Sequence, residues 1–434
     1  MAGGTNELMK KILLLPHGTS GDVFPFIWLG RLLKQHGHGV TLIAARAFES
    51  ACVRAGVDFM PLARDDFDEM LSHPGLFKII EGTQVAHGYA GRATGDYAAA
   101  IELWMARNGQ PDLMLAPMTC FGARLIREKH GIPLVTVHAY PLLVNSAHAP
   151  PLFIPAFRWL RWLPLALRRL VLSGPNPFDR YAHPHVQKAC DDHGVPAPQS
   201  LRWEWWDSPD GVLALFPSWY APPQPDWPRN LLQWDYPLED LSQEETLPPA
   251  LKTFLETGDK PVLFTAGTGH RHARDFFETA LQLVTQNQSR AVFVTRDLKQ
   301  LPASLPASVQ AVEYAPFSQL LPHVAAFVHH GGMGTVAQCL AAGVSQLIVP
   351  MAHDQFDNAD RVERLGGGLN LGTRGFNLKR AMPLLKRCLE DSGIRQRAAA
   401  CAERMRQRPD TEKLERWLVQ RCKGTETQSQ SINE

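Results

Sequence analysis

What this sequence lacks closes several classes of protein to it. None of its seven cysteines (Cys52, Cys120, Cys190, Cys339, Cys388, Cys401, Cys422) forms a C-x-x-C pair, which argues against a zinc site or a disulfide framework. They read as reduced thiols of a cytoplasmic protein. No sign of charge prevails: 44 Lys and Arg oppose 43 Asp and Glu. There is thus no global field to steer nucleic acid or an anionic membrane, although a local patch stays open. No apolar run reaches transmembrane length. Met1 to Glu7 are polar, without the hydrophobic centre of a secretory signal, and are expected to form a short disordered tail.

What is present is one α/β pattern, written twice. Two domains are expected for 434 residues. Ile12 to Leu15, a glycine turn, a helical pattern to about Lys34 and a second apolar run, Val40 to Ala44, predict a β-α-β unit with a parallel crossover. Leu113 to Leu115 and Pro133 to Val137 predict further strands, joined by a helix around Ala123 to Lys129. From Pro150 to Trp234 the texture turns rich in proline and tryptophan, and Leu238 to Pro249 reads as an acidic linker. The pattern then restarts: Pro261 to Thr265, Ala291 to Val294, Val309 to Val312, Ala325 to Val328 and Gln346 to Val349 predict strands, with a helix beginning near Arg274. The expectation is an α/β protein of two doubly wound, Rossmann-like domains, residues 1–237 and 250–395, facing each other across a cleft. A helix in 396–422 would pack back on the first domain, and 423–434 would be a disordered tail. In open parallel sheets ligands sit beyond the carboxyl ends of the strands, where every glycine turn of this chain also lies.

Three segments at those ends carry chemistry. In Pro16-His17-Gly18-Thr19-Ser20-Gly21-Asp22, Asp22 could simply cap the next helix, or project into the cleft and take a proton from a hydroxyl. Ser20 lacks the G-x-S-x-G spacing of a hydrolase elbow. His329-His330-Gly331-Gly332-Met333-Gly334-Thr335 reads as a strand end, a glycine turn and a helix N-terminus, a natural site for phosphate. Its rival reading is the G-x-G-x-x-A fingerprint of a nicotinamide oxidoreductase with Asp354 as the ribose acid, against which stand the bulky His330 ring and the segment's late place in its domain. Met351 to Ala359 offers a helix cap at Asp354, or, with Gln355, a grip on sugar hydroxyls.

Other features are read more plainly. Asp66-Phe67-Asp68 matches a D-x-D metal motif but lies in a run that looks like a solvated acidic helix start. The pairs His183/His185 and His270/His272 do not make a full ligand set, so no metal is expected. Leu152 to Leu172, with Arg158, Arg161, Arg168 and Arg169 among aromatic and aliphatic residues, has three readings. It could lie on a membrane surface, pack as an ordinary helix over the first sheet, or line an apolar pocket together with Trp203, Trp205 and Trp206.

Taken together, "GTSGDVFPF", "FTAGTG", "HHGGMGT" and "HDQFDNA" resemble the GT-B glycosyltransferases of family 1, the UDP-glycosyltransferase superfamily, over nearly the whole chain. "GDVFPF", "SPDGVLALFPSWYAPPQPDWP" and "AHDQFDNA" are most similar to bacterial rhamnosyltransferases of rhamnolipid synthesis. The resemblance implies an inverting, metal-independent hexosyltransferase. The donor would be a nucleotide sugar, dTDP-L-rhamnose favoured and UDP-glucose possible, and no further cofactor is implied. The acceptor would be a lipid-like hydroxyl compound such as a 3-(3-hydroxyalkanoyloxy)alkanoate, or alternatively a sterol, polyketide or other apolar aglycone.

The same resemblance implies roles for individual residues. Asp22 becomes the catalytic base. His330, Gly332, Gly334 and Thr335 would hold the diphosphate, with Gly267 and Thr268 closing over it. Asp354 and Gln355 would bind the sugar, Tyr314 would stack on the base, and Phe153, Trp159, Trp162, Trp203 and Trp206 would meet the acceptor. It is also compatible with a monomer or homodimer, and with peripheral association with the inner membrane or an acyl-supplying enzyme. A non-catalytic binding protein would share the nucleotide site but consume no sugar nucleotide.

Overall fold

A computed structural model describes residues 9–174, 179–238 and 246–422. The tails expected at Met1 to Glu7 and 423–434, and most of the linker, lie outside the described residues.

Seven strands build the first sheet: β1 (Lys11–Leu14), β2 (Gly39–Ala44), β3 (Asp58–Pro61), β4 (Leu113–Ala116), β5 (Leu134–His138), β6 (Val212–Ala214) and β7 (Leu231–Gln233). They pair in the order β3-β2-β1-β4-β5-β6-β7, parallel throughout. Six more, β8 (Val262–Thr265), β9 (Ala291–Val294), β10 (Val309–Val312), β11 (Ala326–His329), β12 (Gln346–Ile348) and β13 (Gly368–Asn370), pair in the order β10-β9-β8-β11-β12-β13. Both sheets are covered on both faces, which is why their strands are unbroken apolar runs. Ile12 and Leu14 face the helix Ser20–Gln35, while Leu13 and Leu15 face the long helix Glu81–Asn108.

Four strands were not expected: β3, β6, β7 and β13. Each has only three or four residues. Their place is set by pairing with a neighbour, as of Val212 with Thr136, and not by a pattern of their own. The linker also ends sooner than expected, because Pro249 already opens the helix Pro249–Glu256.

The single C-terminal helix expected in 396–422 is two helices. Ser392–Arg406 packs on the second unit through Cys401 and Met405. Thr411–Val419 crosses to the first, where Leu414 and Leu418 enter its core and Glu415 meets His38 Nε2 at 2.9 Å. The segment after Pro150 also differs from its packed reading. A 3-10 turn, Pro155–Trp162, leads to a helix, Leu165–Leu172, none of whose residues is buried.

The two units touch along the cleft. Leu152 N–H donates to Asp357 Oδ1 at 3.3 Å, Arg161 Nη1 pairs with Asp360 Oδ2 at 2.7 Å, and His270 stacks on Phe77 with ring centroids 4.5 Å apart.

Candidate active site

The first wall of the cleft is the turn after β1. Its helix begins with a capping box in which Thr19 is the N-cap and Asp22 is the third helical residue. Asp22 Oδ2 accepts from Thr19 N–H at 2.8 Å and from Thr19 Oγ1–H at 3.1 Å. Both bonds fall on one oxygen, so Oδ1 is left for another partner. Gly18, at φ +124°, must be glycine here, since a methyl group on it would collide with that carboxylate. Burial pushes Asp22 up to about 6 against the pull of the Thr19 bonds. The capping reading and the cleft-facing reading of Asp22 therefore hold at once.

The opposite wall is built from the ends of β8, β11 and β12. His329 is buried inside the sheet: its Nε2–H donates to Gln346 Oε1 at 3.1 Å, and its Nδ1 accepts from Gly331 N–H at 3.0 Å. It fixes the glycine turn from beneath and does not face the cleft. Gly331 takes φ +94°, and a methyl group there would lie 2.6 Å from Ile348 Cγ2. Gly332 is the N-cap of the helix Met333–Ala342. Gly334 and Thr335 lie in its first turn, where unpaired N–H groups and the helix dipole attract anions.

The His330 ring lies between two glycines. Methyl groups on Gly267 and Gly332 would approach it to 2.7 and 2.5 Å. Its Nδ1 is buried with no partner. Burial, reinforced by His329 and His270, lowers it to about 3, so the ring is neutral. Gly267, at φ +96°, and the exposed Thr268 form the loop above it. The next glycine of that loop, Gly269, comes so near the first unit that a methyl group on it would sit 3.6 Å from Thr19 Cγ2.

Asp354 precedes the helix Gln355–Leu365 and receives Asn358 Nδ2–H at 2.6 Å. It is raised to about 7, chiefly by burial and then by the charge of Asp22. The two carboxyl groups face one another closely enough to feel each other's charge. Gln355 differs from its expected role in part: it is buried, and its Oε1 accepts from Met351 and Ala352 N–H at 2.8 and 3.1 Å. Only its amide N–H groups remain to meet a sugar. Tyr314 lies just past β10, three strand spacings, ~14 Å, from β11. A base stacked there would therefore lie well away from the His330 turn.

The acceptor residues are where expectation and structure part. Trp159, Trp162 and Trp203 are exposed, and Trp203 carries the Arg202 guanidinium 4.9 Å above its ring. Phe153 is half-buried. Trp206 is buried, donates Nε1–H to Leu143 O at 2.7 Å, and packs beneath Tyr140. These five do not close a pocket: Trp159, Trp162 and Trp203 face solvent, while Trp206 is buried apart from them. Among the described residues a small cavity opens beside the Asp22 turn, between Val23, Phe48, Leu62, Met70 and Tyr97, with Arg64, Asp65, Asp66 and Asp96 also on its wall. His17 lines it, with its Nε2 buried and unpartnered and its ring pushed down to about 4 by burial. The D-x-D acids are also engaged: Asp66 with Arg64 and Arg92, and Asp68 with Arg271 across the cleft.

Four further residues belong to this site. Asn358 ties its parts together: its Nδ2 donates to Asp354 and, at 3.0 Å, to Gly331 O. Its spacing of four from Asp354 on one helix is a readable signal. Tyr140 lies past β5 at the carboxyl edge, and its hydroxyl is raised well above its ordinary range by burial and by the charges of Asp22 and Asp354. His353 takes φ +56°, rare for a non-glycine residue, and packs edge-on to Phe77 of the other unit. His17 is the fourth.

Comparison with known proteins gives this geometry its class. Residues 12–148 match the glycosyltransferase family 28 N-terminal domain, and residues 282–420 match the erythromycin biosynthesis protein CIII-like C-terminal domain. The calicheamicin glycosyltransferase CalG4 superposes with a TM-score of 0.69 at 20% identity, covering 95% of this chain and 99% of that one. The chain therefore has the GT-B fold, and its two halves match domains found in glycosyltransferases and antibiotic biosynthesis. It is 29% identical to the O-mycaminosyltylonolide 6-deoxyallosyltransferase of Streptomyces fradiae, over 82% of this chain and 84% of that one. It is 24% identical to the sterol 3-beta-glucosyltransferase of Debaryomyces hansenii, over 91% of this chain but only 26% of that one. The chain thus spans about a quarter of the sterol enzyme's length. The matched N-terminal domain and the named relatives are glycosyltransferases, which speaks against the dinucleotide oxidoreductase reading.

Proposed function

We propose that the protein is an inverting, metal-independent hexosyltransferase that moves a hexose from a nucleotide sugar to the hydroxyl of an apolar, lipid-like acceptor. One observation carries this reading: a carboxylate raised to about 6, with one oxygen free, faces a glycine-lined helix N-terminus across the cleft. The acceptor O–H gives its proton to Asp22 Oδ1 as its oxygen bonds to the anomeric carbon. On the opposite face the bond from that carbon to the diphosphate oxygen breaks, inverting the centre. The developing phosphate charge falls on the first-turn N–H groups of Met333–Ala342 and on the N–H of the neutral His330 ring. With donors of that kind in place, no metal is required. Asp354 and the Gln355 amide hold the sugar, and the cavity beside His17 holds the apolar part of the acceptor.

A 6-deoxyhexose donor such as dTDP-L-rhamnose is favoured, since the Streptomyces relative that is matched over most of its length is named for a 6-deoxy sugar. The apolar residues Val23, Phe48, Leu62 and Met70 of the cavity support an acceptor with aliphatic chains, such as a hydroxyalkanoyloxy-alkanoate. UDP-glucose with a sterol or polyketide is the second reading, favoured by the likeness to the sterol enzyme. All seven cysteines are buried free thiols, which supports residence in a reducing cytoplasm.

The test is Asp22→Asn assayed with dTDP-L-rhamnose and UDP-glucose against both acceptor classes. Turnover is expected to fall by ~10³-fold while the free nucleoside diphosphate still binds. Wild-type activity in this variant would remove Asp22 from the reaction.

A further inference from the structure

The turn Pro155–Trp162 and the helix Leu165–Leu172 present a face that none of the described residues covers. Trp162 is 88% exposed, Leu170 69%, Val171 49% and Trp159 48%. Single exposed apolar residues are ordinary, but so dense a run on one short segment is not. Between Leu152 and Gly174 the charged residues are four arginines, with no aspartate or glutamate.

The face is firmly mounted. Arg158 and Arg161 both reach Asp360 on the helix Gln355–Leu365, at 3.0 and 2.7 Å. Arg168 is folded onto the backbone carbonyls of Leu163 and Ala147 and not onto a carboxylate, so its charge stays uncompensated. Arg169 stands exposed on the helix itself.

We infer that this face docks on an anionic phospholipid bilayer, with the helix Leu165–Leu172 lying in the plane of the interface. Indole rings settle at headgroup depth, Leu170 and Val171 reach the acyl boundary, and the guanidinium groups of Arg168 and Arg169 lie next to lipid phosphates. A purely apolar protein partner would account for the tryptophans and leucines but leave Arg168 and Arg169 desolvated without counter-charge. Because Arg158 and Arg161 hold the same helix that begins beside Asp354, docking also sets the cleft close to the membrane. That consequence for a lipid acceptor rests on the proposed function, whereas the docking does not.

Full-length protein sedimented with mixed phosphatidylcholine and phosphatidylglycerol vesicles should co-pellet at low salt and far less with phosphatidylcholine alone. Trp162→Ser combined with Leu170→Ser should lower the partition by tenfold or more, roughly what losing two buried apolar side chains removes. Arg169→Glu should weaken binding only where phosphatidylglycerol is present. Unchanged nucleoside diphosphate binding verifies that these variants are folded. Should the double variant unfold, Trp162→Phe keeps the test alive, since brominated lipid should quench the wild type more than this variant. Docking is overturned if the wild type stays in the supernatant, if the variants bind as it does, or if the face proves to join two copies in solution while vesicles bind neither form. A failure of glycosyl transfer alone would leave it standing.

Discussion

The two walls of the cleft are made of different materials. The second unit builds its wall from backbone: Gly267 and Gly331 at positive φ, Gly332 as a helix cap, and the helix N-terminus it opens, with His330 inserted as a single ring. The first unit builds its wall from side chains contributed by four separate stretches: Val23, Phe48, Met70 and Tyr97 around His17, next to the Asp22 turn. A backbone site is fixed in shape and suits an invariant group such as a diphosphate. A side-chain cavity can be recut one residue at a time and suits a variable one.

That contrast can be broken from either side. The largest effect is expected on the backbone wall: Gly332→Ala drives a methyl group into His330, and nucleoside diphosphate affinity should fall by ~100-fold in a calorimetric titration, with little change in thermal stability. Filling the other wall should act differently. Met70→Trp is expected to raise the KM of the acceptor by ~10-fold and leave nucleotide binding alone. If it weakened the nucleotide equally, the two walls would not be separable.

The pH dependence sharpens the division further. With Asp22 near 6, kcat/KM should drop tenfold for each unit of pH below about 6, a limb absent from the residual activity of Asp22→Asn. The smallest effect concerns Asp354, raised to about 7 from an ordinary 3.8. Its folded form binds the proton more tightly than its unfolded form, so it lowers stability progressively as pH rises between those values. Asp354→Asn should therefore melt higher than the wild type at pH 8, by ~2 °C, with the gap closing near pH 4.

The same difference in material explains what the sequence disclosed. Gly332, Gly334 and His330 announce the donor wall because a glycine turn between an apolar run and a helix is a local pattern, complete within ten residues. The double winding was equally legible, since each buried parallel strand is a continuous apolar run such as Ile12 to Leu15. Strands of three residues, such as Val212–Ala214, carry too little pattern and owe their existence to the strand beside them. The tryptophans after Pro150 are apolar and close in sequence, but Trp159, Trp162 and Trp203 stand exposed and line no common pocket. The cavity proposed for the acceptor draws on residues as far apart as His17 and Tyr97, which only the sheet order brings together.

Thr19 gives Asp22 a consequence beyond rate. Two hydrogen bonds on Oδ2 hold the carboxylate in one orientation and leave Oδ1 for another partner. As the proposed base, Asp22 would act from that one orientation. Of several hydroxyls on a polyhydroxylated acceptor, the one presented to Oδ1 would be activated ahead of its neighbours. The capping box that starts a helix would thus also dictate the regiochemistry of the product.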